Sequence, residues 1–168
     1  MLVHSEGEVL GVDIGGVIID KANDGTDTSF FSENFLATTP VSEAFETLRD
    51  LVAQRFKQRV HLVSKCGGKV EEKTRRWMHH RSFHAFTGIA SARMHFCRRR
   101  EDKAGICREL GITHFIDDKL EVLSYLVDSV PHLYLFQGSP NEVRRYASVL
   151  PRVTPVDGWG AVRHNLLG

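Results

Sequence analysis

At 168 residues, with 42% hydrophobic and 26% charged residues and a net charge of +1, the chain has the make-up of an ordinary globular domain large enough for a core. No apolar run approaches the roughly 20 residues that cross a bilayer. The start, MLVHSEGEVLG, lacks the basic-then-apolar pattern of a signal peptide, so the expectation is a cytoplasmic protein without a membrane segment. The three cysteines, Cys66, Cys97 and Cys107, are odd in number and lack metal-site spacing, and they read as reduced thiols.

Short apolar runs alternate with amphipathic stretches along the chain. Residues 8–14 (EVLGVDI) read as a buried strand that ends on a carboxylate, Asp13, with two glycines close behind. Residues 20–40 are polar and read as a flap. Thr39 and Pro40 resemble a helix N-cap followed by proline at the first helical position. Val41, Ala44, Phe45, Leu48, Leu51 and Val52 then follow at helical spacing. Further strands are expected over 59–63, 94–97, 112–116 and 132–136. Further helices are expected over 69–80, 101–110 (closed by Gly111), 119–127, 141–149 and 159–167.

This alternation implies parallel pairing with helices on both faces. The fold class is α/β, a Rossmann-like three-layer α/β/α sandwich with a mostly parallel sheet of about five strands. Ligands of such sheets bind beyond the carboxyl ends of the strands. There the sequence keeps Asp13, Ser64, Asp117 and Asp118.

Each of these residues also has a plain structural reading. Asp13 could hold the glycine turn, Ser64 could cap the next helix, Lys103 could face solvent, and Asp118 could be the N-cap of KLEVL. Taken together they form an ordered pattern: apolar strand, D-x-x-G-V, a strand ending in serine, a lysine at a helix start, and a strand ending in Asp-Asp. The block KAGICRELGITHFIDDKLEVL, residues 103–123, carries the most specific part of it. The pattern resembles the haloacid dehalogenase superfamily, most of whose members are phosphatases, over nearly the whole chain.

The resemblance implies roles residue by residue. Asp13 matches the nucleophile that forms an aspartyl-phosphate, and Gly16 and Val17 match the turn that follows it. Ser64 matches the hydroxyl that holds the transferring phosphoryl group. Lys103 matches the cation that neutralises nucleophile and phosphate, and Lys65 joins Ser64 and Lys103 among the phosphate-binding candidates. Asp117 matches the magnesium-ligating acid, and Asp118 the second acid, which supports the metal or Lys103. The expected metal set is Asp13, the carbonyl of Gly15, Asp117 and Asp118, with Mg²⁺ as cofactor. A hard cation held by carboxylates, waters and substrate oxygens suits that set.

The chain departs from the family at Gly15, where its phosphatases carry the aspartate that protonates the leaving group and later activates water. General acid-base help is worth about 10²–10⁴-fold in rate. The implied activity is therefore a Mg²⁺-dependent phosphohydrolase that is weak or restricted to good leaving groups. The alternative is a non-catalytic phosphate- or phosphoprotein-binding module. Residues 1–168 read as a single domain of this type in which 20–40 is a flap and no full cap is present. An open site of that kind suits a phosphorylated or other anionic substrate, including a macromolecular one, or closure by a second copy of the chain.

Residues 69–103 hold ten Lys or Arg against four Asp or Glu, which is +6, and the remainder of the chain is −5. Such a segment suggests a polyanionic ligand near the site, or simply a solvated helix face. His79, His80, His84 and His95 have loose metal-like spacing but read as surface or packing residues. Trp77, Phe83, Phe86 and Phe96 read as apolar positions of core-facing helices rather than a nucleic-acid surface. VDIGGV is also similar to the DIGGT phosphate loop of sugar kinases. That reading fails on Val17, on the length of the chain, and on the unexplained Lys103 and acidic pair.

Overall fold

The computed structural model describes residues 7–21 and 33–168. Six strands form one sheet: β1 (Leu10–Val12), β2 (Val60–Lys65), β3 (Met94–Cys97), β4 (His114–Asp117), β5 (His132–Phe136) and β6 (Val153–Val156). Their order is β3-β2-β1-β4-β5-β6, and every pairing is parallel. The chain leaves β1 toward β2 and β3, then returns to build β4 to β6 on the other side. This reversal makes the carboxyl end of β1 the switch point, where open α/β sheets place their ligands.

The helices are α1 (Ala44–Leu51), α2 (Gly68–His80), α3 (Phe83–Thr87), α4 (Asp102–Leu110), α5 (Leu120–Leu126), α6 (Pro140–Arg145) and α7 (Trp159–Leu167). Alternate residues of each strand feed opposite layers. Leu10, Val12, Leu62, Ile116, Tyr134 and Phe136 join Leu48, Leu51, Trp77 and Trp159 on one side. Val63, Phe115, Leu133 and Leu135 join Ala104, Cys107, Leu123 and Leu126 on the other. At 25 cal/mol per Å², burying a side chain of this size contributes about 1.5–3 kcal/mol, so the two layers dominate the stability. Gly11 is a packing requirement: a Cβ there would stand 2.6 Å from the Phe115 ring.

The α/β class with its parallel sheet holds, and three expectations on individual helices are corrected. The sheet has six strands among the described residues, where about five were expected. The missed one, β6, contains Pro155, which obscured its pattern; proline is tolerated because β6 is an edge strand. The helix after the flap starts at Ala44, not beside Pro40. Pro40 instead forms an antiparallel bridge with Ile19, and the Val41 N–H donates to the Ile18 carbonyl at 2.8 Å, so this stretch is extended and paired with the chain that follows Asp13. Glu43, at φ 67°, then turns the chain into α1. The expected helix over 141–149 is split into α6 and a 3₁₀ turn, Ala147–Arg152. Finally, α3 lies within a stretch for which no helix was expected. The centre of the flap falls outside the described residues.

The chain on both sides of residues 22–32 is tied to the core by tryptophans. Trp159 Nε1 donates to the Val17 carbonyl at 2.7 Å, and Trp77 Nε1 donates to the Thr38 carbonyl at 2.9 Å. A buried indole needs an acceptor for its N–H, and here the acceptors are main-chain carbonyls on either side of the site.

Candidate active site

The sheet gathers three carboxylates. Asp13 follows β1 directly, and its N–H donates to the Ile116 carbonyl of β4 at 2.9 Å, which locks the two strand ends together. Asp117 closes β4 and Asp118 follows it. One oxygen from each of Asp13, Asp117 and Asp118 can be chosen so that all three lie within 4.8 Å of one another. This is the only group of three or more potential His, Cys, Asp or Glu ligands among the described residues.

Lys103, in the first turn of α4, reaches into this cluster. Its Nζ donates to Asp13 Oδ1 at 3.0 Å and to Asp117 Oδ2 at 2.8 Å. Only 2% of Lys103 is exposed, and Asp117 is wholly buried. Burial alone would lower the lysine pKa, but the charges of Asp117 and Asp13 outweigh it and hold the ammonium protonated. One cation between two buried carboxylates leaves a negative charge uncompensated. Burial, then the charge of Asp117, accordingly pushes the Asp13 carboxyl well above its ordinary range, with Lys103 opposing. Asp117 is also raised, mainly by burial, and Lys103 opposes that too. Asp117 Oδ1 accepts the Lys119 N–H at 2.9 Å.

These groups line a cavity of about 480 Å³, together with Gly15, Gly16, Asp20, Lys21, Ser64, Lys65, Cys66, Arg100 and Lys119. Every candidate site residue named from the sequence is therefore in one place. Ser64 lies on β2 and is buried. Lys65, the last residue of β2, is exposed at the cavity. Hard carboxylate oxygens in this number and closeness fit a Mg²⁺ ion, which is usually held by one or two carboxylates plus waters.

Two glycines in succession have different reasons. A Cβ on Gly15 would meet nothing within 4 Å, so this position is open space at the cavity. Gly16 has φ +79°, and a Cβ there would stand 2.5 Å from Asp118 Oδ2 and 2.5 Å from Lys21 Cε. Gly16 is required sterically, whereas the backbone at Gly15 leaves room for a side chain.

Sequence reasoning missed the outer support of the site. Lys21 Nζ donates to Asp118 Oδ2 at 2.5 Å. Arg100 pairs with Glu121, whose other oxygen accepts the Tyr146 hydroxyl at 3.1 Å. The N-terminus of α5 is capped not by Asp118 but by Glu142 of α6. Its carboxylate accepts the N–H groups of Leu120 at 2.8 Å and Glu121 at 3.2 Å. A cap supplied by a residue 22 positions away leaves no local signal.

The basic stretch 69–103 contributes Val70, Thr74, Arg100 and Lys103 to the cavity lining. Much of its charge is locally paired: Arg75 and Arg98 with Glu71, Arg99 with Asp102 and Glu101, Arg100 with Glu121. The four histidines of the stretch do not converge. His84 Nδ1 lies 2.7 Å from the Ile89 carbonyl, and His95 Nε2 lies 3.0 Å from Nδ1 of His61 on β2, while His79 and His80 border a separate shallow depression.

No protein-family model matches the sequence, and no curated protein matches it. Solved structures do. A D,D-heptose 1,7-bisphosphate phosphatase from B. bronchiseptica, complexed with magnesium and phosphate, superposes with a TM-score of 0.68 at 14% identity, over 95% of this chain and 98% of its own. The corresponding phosphatase from Burkholderia thailandensis gives 0.57 at 14% identity, over 96% and 99%. A haloacid dehalogenase-like hydrolase from Burkholderia xenovorans gives 0.60 at 11% identity, over 96% of each chain. The fold is thus the haloacid dehalogenase-like α/β fold, a Rossmann-like layered architecture.

Proposed function

We propose that this chain is a Mg²⁺-dependent phosphohydrolase of the haloacid dehalogenase type that acts through an aspartyl-phosphate on Asp13. The observation that carries the reading is Lys103, buried and bridging Asp13 and Asp117 at 3.0 and 2.8 Å. A solvated helix lysine has no reason to be placed there. A nucleophile facing a phosphate dianion needs its own charge cancelled, and this ammonium is fixed for that purpose.

In this reading Asp13 attacks phosphorus through its second carboxylate oxygen, since Oδ1 is held by Lys103. The bond from phosphorus to the leaving oxygen breaks as the bond to Asp13 forms. Ser64 and Lys65 hold the phosphoryl oxygens from the β2 side. Asp13, Asp117 and Asp118, with the carbonyl of Gly15, would hold Mg²⁺, which when bound supplies charge neutralisation at the phosphoryl oxygens. Gly15 cannot donate a proton, so good leaving groups are preferred. The described residues between Ser64 and Lys103 are spent on α2, α3 and β3, which are elements of the core, and this supports a capless single domain with 20–40 as its flap. The substrate is then a phosphorylated or otherwise anionic compound, large enough to use an open site.

No helix among the described residues is long and apolar enough to cross a membrane. The three thiols are unpaired in disulfides, which supports a reducing, cytoplasmic location.

The open space at Gly15 favours one second reading, a phosphate-binding module without turnover. Rates over aryl and alkyl phosphates of graded leaving-group pKa separate the two. Hydrolysis that rises steeply as the leaving group improves, and is abolished in Asp13→Asn, is the expected result. Phosphate binding with no turnover of the most activated ester would establish the module instead.

A further inference from the structure

The inference concerns Lys21 and rests on the proposed metal set. The carboxylate oxygens of the cluster are unequally committed. Lys103 takes Asp13 Oδ1 and Asp117 Oδ2, and the Lys119 N–H takes Asp117 Oδ1. Asp118 Oδ2 is taken by Lys21, whose side chain is about half exposed while Asp118 is buried. The ammonium thus reaches inward from the base of the flap to a carboxylate at the bottom of the cavity.

The backbone is shaped to let it do so. Lys21 passes directly over Gly16, where a Cβ would stand 2.5 Å from Lys21 Cε, 3.0 Å from its Nζ and 2.5 Å from Asp118 Oδ2. The left-handed glycine and the ion pair occupy one space, so the turn after Asp13 is built around this lysine.

Two ammonium groups then face three carboxylates, which leaves the cluster one negative charge. A divalent ion held by Asp118 would share that carboxylate with a cation already on it, and the two like charges would oppose one another. We infer that Lys21 is a tethered counter-cation that competes with the divalent metal at Asp118 and thereby sets the metal affinity of the site. The metal and the Lys21 ammonium draw on the same carboxylate charge, so each opposes the other at Asp118. By linkage, the metal weakens the Lys21–Asp118 pair by the same factor that the pair weakens the metal.

Calorimetric titration with MgCl₂ tests this without any substrate. Lys21→Met and Lys21→Gln should bind Mg²⁺ about tenfold or more tightly than the wild type, within the usual range of such couplings. In an Asp118→Asn background, Lys21→Met should give a much smaller gain, because the carboxylate that Lys21 holds is gone. Unchanged or weaker binding in both Lys21 variants overturns the inference, as does an equal gain in the Asp118→Asn background. Circular dichroism and urea midpoints establish that the half-exposed substitutions leave the fold intact. The two readings fail separately. If Asp117→Asn abolishes Mg²⁺ binding but Lys21→Met does not tighten it, only the competition is wrong. If Asp117→Asn leaves the affinity of Lys21→Met unaltered, the metal is elsewhere, and the proposed site falls as well.

Discussion

Lys103 and Asp13, 90 residues apart in sequence, meet at 3.0 Å in an interior where only 2% of the lysine is exposed. Removing one partner of such a buried pair exposes the other to the full cost of desolvation. Lys103→Met keeps the volume but strands two buried carboxylates. It should lower the unfolding free energy by roughly 3–5 kcal/mol at neutral pH, read from urea denaturation. The loss should shrink on acidification, because Asp13 and Asp117 have raised pKa values and can take up protons in the folded variant. A Lys103→Met protein as stable as wild type at pH 7 would contradict the charge arrangement.

The two adjacent glycines should respond oppositely to substitution. A Cβ at Gly15 meets no atom within 4 Å and no left-handed backbone, so Gly15→Asp places an acid at the cavity. Turnover of an alkyl phosphate should rise, by up to about 10²–10⁴-fold. Gly16→Ala places a methyl group 2.5 Å from Asp118 Oδ2 at φ +79°, and should reduce stability. Equal behaviour of the two variants in kinetic and thermal assays would refute the distinction.

Glu142 holds the start of α5 from a different helix. Glu142→Ala leaves two N–H groups uncapped beside Asp117 and Asp118. A stability loss of about 1–2 kcal/mol is expected, the usual cost of a lost cap, together with weaker Mg²⁺ binding by calorimetry. Glu142→Gln, which keeps an acceptor oxygen, should recover part of both.

His114 gives the protein a predictable acid limb. Its ring is buried, stacked on His132 at 4.4 Å and edge-on to Phe56. Burial, then the neighbouring His132, lowers its pKa to about 4. The unfolded chain takes up this proton near pH 6.5, whereas the folded one waits until about 4. The folded state therefore loses stability as pH falls through that window, at no more than about 1.4 kcal/mol per pH unit from this site. Urea midpoints of the wild type and His114→Phe at pH 7 and pH 5 should show a smaller acid loss in the variant. Parallel pH dependences would remove His114 from the account.

The sequence made the inner site legible because each of its residues sits at the end of a patterned element. Asp13, Ser64 and Asp117 lie at or just past the ends of apolar strands, where periodicity points, while Lys103 in the first turn of a helix is joined to them only by the ordered motif and the family resemblance it carries. Lys21 and Glu142 escaped because they act across the fold, on Asp118 from 97 residues away and on Leu120 from 22. Pro40 misled for a related reason. It fits the first turn of a helix, but its neighbours Val41 and Thr39 are claimed by main-chain bonds with Ile18 and Asp20. Pro155 concealed β6 because a proline argues against a central strand, and only the topology shows that this strand is at an edge.

That edge has a consequence for solubility. An unpaired strand margin offers a template on which another chain can stack, and proteins blunt such margins with charge, proline or shortness. β6 is four residues long and carries Pro155, so an incoming strand finds one hydrogen-bond donor missing from the outer rung. The residue that hid the strand from its sequence pattern is thus a gatekeeper against aggregation along this side of the sheet.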